Sequence, residues 1–144
     1  MNQARLRQLG IAIVILHLLI VTPHSMAHTQ LQIGMNNWQN IYIGLVILLG
    51  PIISAALLAI RRKTGFTLLA LTMAGSLVFG VYYHFIAAGP DNVASLHPHA
   101  WTSTFQLSAV LLAVTELCGT IVGVLGVGRR STDNGDSADF LSGS

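Results

Sequence analysis

VTPHSMAHTQ, residues 21–30, decides how many times this chain crosses a membrane. Ahead of it, Arg5 and Arg7 precede an apolar run from Leu9 to Val21 that only His17 interrupts, and Pro23 follows. Two readings fit. As a secretory signal, the run is an apolar core behind a basic start, and Ser25-Met26-Ala27 places small residues at the third and first positions before a cut after Ala27. As a retained span, it reaches the ~20 residues a bilayer core requires only by continuing past Pro23 to His28. A cut leaves three spans and a free amine on His28, which could chelate copper together with its own ring and a second histidine. Retention leaves four spans. The histidines favour retention: His17, His24 and His28 are seven and four residues apart. At ~100° per residue they fall within roughly 40° of one another, forming one stripe, unless a bend at Pro23 turns the last two away.

The rest of the chain fixes the class. Of 144 residues, 53% are hydrophobic and 8% charged, with a mean hydropathy of +0.67, which is too apolar for a water-soluble domain of this size. Further apolar runs cover 41–60, 66–88 and 101–127, each long enough to cross ~30 Å of hydrocarbon at ~1.5 Å per residue. The expected fold is therefore an all-α integral membrane bundle. It is a single unit over 1–130, with spans at about 8–28, 41–60, 66–88 and 101–127, or the last three alone if the first is removed. Residues 131–144 are polar, carry Asp133, Asp136 and Asp139, and are expected to form a disordered cytoplasmic tail.

All seven basic residues fall in three groups: Arg5 with Arg7, Arg61-Arg62-Lys63, and Arg129-Arg130. By the positive-inside rule these groups are expected on the cytoplasmic side of a plasma (inner) membrane, leaving 28–40 and 89–100 outside. Trp38 and Trp101 then stand at outer span edges, where aromatic rings favour the headgroup layer. The net charge of +2 marks topology rather than a nucleic-acid surface. The expected partners are the lipid bilayer and other membrane subunits or further copies of the chain.

Five of the six histidines, His24, His28, His84, His97 and His99, belong to that outer side. Imidazole is the commonest protein ligand for zinc and copper, and a site requires three or four converging donors. These five are the candidate metal ligands. The remaining histidine, His17, lies deep in the first run, at about the depth of Glu116 in the last. An acidic side chain there costs roughly 3 kcal/mol or more and faces the bundle interior, so a Glu116–His17 pair is expected.

Other features set limits. Cys118 is the sole cysteine, which excludes an internal disulfide, a CxxC pair and c-type haem attachment. No P-loop, GxGxxG, nucleophile elbow or HExxH occurs, and no catalytic constellation stands out. Gly119 with Gly123 is a small-residue pair suited to close helix approach, and Gly50-Pro51 should kink the second span and free the carbonyl of Ile47. The leading expectation is a non-enzymatic accessory or assembly subunit whose histidine-rich outer face binds copper or zinc. The alternatives are a small proton-coupled transporter using Glu116 and His17, and a redox subunit holding haem.

Overall fold

The computed structural model describes residues 2–142, with side chains described through Arg129; the tail expected over 131–144 lies outside those side chains. Four helices are long and apolar enough to cross a membrane: Gln3–Gln30, Asn37–Ala59, Thr64–Ile86 and Thr102–Arg129. They form an all-α bundle, as the sequence leads one to expect. The last helix continues in the backbone to Ser142.

The polarity of the bundle is inverted relative to a soluble protein. Large apolar side chains such as Leu19, Leu71, Val78 and Leu107 lie exposed on its outside, while His17, His24, Ser76, His84, Ser108 and Glu116 are buried within. That distribution suits a hydrocarbon surround, where the exterior must be apolar and polar groups must find partners inside. Buried hydroxyls on Thr72, Ser76, Ser108 and Thr115 accordingly donate to carbonyls three or four residues back on their own helices.

The first helix runs unbroken from Gln3 to Gln30 with Pro23 inside it. Asn2 caps its start, accepting from Arg5 N at 2.9 Å. Its buried residues are Leu6, Gly10, Val14, His17, Val21, His24 and Ala27, all three or four residues apart as on a packed helix seam. Pro23 lies beside that seam and does not rotate it. Burial on both sides of the proline, at Val21, His24 and Ala27, holds the helix on course.

At the far end of this helix Gln32 adopts a left-handed φ of 54°, and Ile33 N donates to the His28 carbonyl at 3.0 Å. This reversal drops Ile33 onto Ala27 and Phe105, making a small apolar cluster over the end of the bundle. The second span begins at a capping box formed by Asn36 and Gln39. Gly50-Pro51 is expected to kink it. The span passes through a π-helical segment, Ile43–Leu49, just ahead of that pair and resumes as an α-helix at Gly50. A second π-helical segment, Tyr82–Ile86, ends the third span. Such turns insert a residue and re-aim side chains, here including His84.

The fourth helix is the centre of assembly. It packs extensively against the first and third, which touch each other in few places. Leu6, Val14, Leu58, Phe66, Leu69, Met73 and Val122 form a tight apolar core towards the end that carries the basic residues. The opposite end is looser and holds the polar groups.

Candidate metal centre

At that looser end, three imidazoles meet. His24 and His28, one turn apart on the first helix, face His84 from the third, and one nitrogen from each ring lies within 4.8 Å of the others. Among the described residues this is the only group of three metal-ligating side chains so close together. Ring centroids are 4.8 Å apart for His24–His28 and 4.9 Å for His24–His84. Phe105 of the fourth helix stacks on His24 at 4.9 Å and forms the apolar wall behind the cluster.

The hydrogen bonds around each ring decide which nitrogen is free. His24 Nδ1 lies 2.9 Å from Ser108 Oγ. The single hydroxyl proton of Ser108 is directed to the carbonyls of Thr104 at 2.6 Å and Phe105 at 3.0 Å. The ring must therefore donate to the hydroxyl, which leaves His24 Nε2 as the lone-pair nitrogen. His84 Nδ1 faces the Asp91 carbonyl at 3.1 Å and Asp91 Oδ1 at 3.2 Å, both acceptors, so its Nε2 is likewise free. A histidine whose other nitrogen is tied to a carboxylate or carbonyl is the usual form of an oriented metal ligand.

His28 completes the set. Its Nε2 is 3.2 Å from His24 Nε2 and 3.4 Å from Asp91 Oδ1. Two imidazole nitrogens at ~2.0–2.1 Å from a tetrahedral ion are separated by about 3.3 Å, so this pair already has the spacing of a coordination edge. Without an ion, a proton on His28 is needed to keep two lone pairs from facing each other. Asp91 Oδ1 is buried without a hydrogen-bond donor, and it supplies one negative charge beside the three rings.

Asp91 reaches the site because the connection after the third span folds back on it. Val93 N donates to the His84 carbonyl at 2.9 Å, and Asn92 and Ser95 close local turns over Ala87 and Gly89. The same connection carries His97 and His99 elsewhere. Both are exposed, and they line a separate depression with Gln30, Pro90 and Pro98. Of the five candidate ligands, the structure thus brings His24, His28 and His84 together and leaves His97 and His99 apart.

The deep pair is also in place. His17 Nε2 lies 3.1 Å from the carbonyl of Ile47, which Pro51, lacking an N–H, cannot satisfy. His17 Nδ1 is buried without a hydrogen-bond partner and faces Glu116 Oε1 at 3.8 Å. That separation is too long for a direct hydrogen bond. A cavity of about 300 Å³ extends from the three histidines to Glu116, with Ser76 and Gly80 in its wall.

Asp91, Ser108 and Phe105 are absent from the ligand set that the sequence suggests. Asp91 is the only acidic residue in the two segments free of lysine and arginine, and that isolation was its signal. Ser108 and Phe105 read as ordinary span residues. Comparison with known protein families, with curated proteins and with solved structures finds no match.

Proposed function

We propose that this chain is a membrane-embedded transition-metal-binding protein that holds zinc, or copper in its divalent state, on His24, His28 and His84, with Asp91 orienting His84. The carrying observation is the 3.2 Å approach of His24 Nε2 to His28 Nε2, two nitrogens set for one ion. Nitrogen donors beside a carboxylate suit these borderline ions. Copper(I) would require softer sulfur, yet Cys118 is exposed on the outer surface and Met35 alone brings a thioether to the cavity wall. Haem fits less well, because the rings pack edge to face against one another and leave no slot between them for a macrocycle.

Three protein ligands would leave one coordination position on a tetrahedral ion, and all three histidines line the cavity. The open position and the placement of the site opposite the basic ends favour capture of an ion from the extracytoplasmic side, in an accessory or assembly role beside other membrane proteins. The test is metal content by mass spectrometry of the detergent-purified chain after equilibration with zinc or copper(II). The tightly held ion should vanish in His24→Ala with His28→Ala, and in His84→Ala. Retention of that ion in both variants would reject these ligands.

A further inference from the structure

We infer that Glu116 and His17 form a second cation position, deeper in the membrane, which receives an ion from the histidine site through the cavity. This rests on the metal-binding reading above and extends it from a single site to a two-step path.

The deep pair has the preparation of a ligand set. The Ile47 carbonyl can only accept, so His17 Nε2 carries the proton and Nδ1 presents its lone pair. That nitrogen is fully buried, unpartnered and aimed at Glu116. It has the same arrangement as His24 and His84, each with one nitrogen anchored and the other free. Nitrogen and oxygen ligands at ~2.0–2.1 Å from one ion lie about 3.3 Å apart at a tetrahedral angle and about 4 Å apart when opposite, and the observed 3.8 Å falls between. Ser76 Oγ, which donates its proton to Thr72, keeps lone pairs available on the cavity wall.

Charge is distributed to match. Asp91 stands at the outer position and Glu116 at the inner, so each divalent ion has one carboxylate beside it. The passage between them runs past Gly80. A Cβ built there would lie 3.8 Å from Glu116 Oε2 and 3.9 Å from His84 Cδ2, so the glycine keeps the space between the two positions open. Below Glu116 the apolar core around Met73 and Leu69 closes the bundle, and the described path ends there.

The experiment is equilibrium dialysis of the full chain in lipid nanodiscs against zinc, with zinc per chain counted by mass spectrometry. Wild type should saturate at two zinc ions per chain, the second weaker than the first. Glu116→Gln should bind one and keep the tight ion, whereas His24→Ala with His28→Ala should lose the tight ion and keep the weak one. Gly80→Leu, which fills the passage between His84 and Glu116 but removes no ligand, should slow filling of the second position at least tenfold in a time course while the tight ion is retained. Retention of circular dichroism and a single size-exclusion peak establishes that each variant is folded. Saturation at one zinc in wild type, with none left after the double histidine change, would overturn the second position and leave the first intact. Two ions persisting in Glu116→Gln would also overturn it. Tight binding unaffected by the double histidine change would instead reject the outer site.

Discussion

Replacing Asp91 with asparagine separates orientation of a ligand from ligation itself. The backbone carbonyl of residue 91 still accepts from His84 Nδ1 at 3.1 Å, so the His84 ring stays in place. What disappears is the negative charge 3.2 Å from that nitrogen and 3.4 Å from His28 Nε2. Loss of a carboxylate beside a metal-bound histidine, outside the set of ligands, weakens binding roughly 10- to 100-fold, about 1.4–2.7 kcal/mol. Direct coordination by Asp91 would make the loss larger, because a bound donor would be removed outright. Competition against a chromophoric chelator, with purified protein in detergent at fixed pH and salt, reads the dissociation constant directly. The expected outcome for Asp91→Asn is a 10- to 100-fold rise at unchanged thermal stability of the metal-free protein. An unchanged constant would refute the assignment of Asp91 to the site.

Three further outcomes follow from the packing and hydrogen bonding. A Cβ on Gly123 would lie 2.6 Å from Ala70 N and 2.8 Å from Ala70 Cα, whereas one on Gly119 would meet Met73 Cγ at 2.8 Å. Backbone cannot yield but a methionine can, so Gly123→Ala should cost about 1–3 kcal/mol and Gly119→Ala clearly less, measured by steric trapping or reversible unfolding in bicelles. Changing His97 and His99 together to alanine should leave tight metal content unaltered, and a proportional loss would mean that the exposed loop folds over the site. Pro51→Ala returns an N–H that competes for the Ile47 carbonyl; the nitrogen-15 spectrum of His17 should then show a mixture of tautomers in place of one.

Much of this fold is written in the pattern of apolar runs. The spans expected at 41–60 and 66–88 are observed at Asn37–Ala59 and Thr64–Ile86, starting earlier because helices begin at caps such as Asn36 rather than where hydropathy rises. The histidine stripe on the first helix is legible because seven and four are both near-multiples of the helical repeat. Pro23 does not disturb it, since burial of its neighbours outweighs one missing hydrogen bond. The freed Ile47 carbonyl follows from proline chemistry alone, but its pairing with His17 depends on how the second span sits against the first. His97 and His99 resemble His24 and His28 in sequence, and only the fold of the connection sets them apart: Asn92 and Ser95 turn the chain so that Asp91 points inward. The π-helical segment that aims His84 leaves no pattern in Tyr82–Ile86 that a helix of ordinary pitch would lack.

The sparse direct contact between the first and third helices carries a consequence for biogenesis. His28 leaves the ribosome long before His84, and the wall formed by Phe105 and Ser108 comes later still. Because the fourth helix packs against both the first and the third, the proposed three-ring site depends on its insertion between them. If the three rings hold an ion, its loading would report completed assembly, and a chain stalled or truncated before the fourth helix would be left empty.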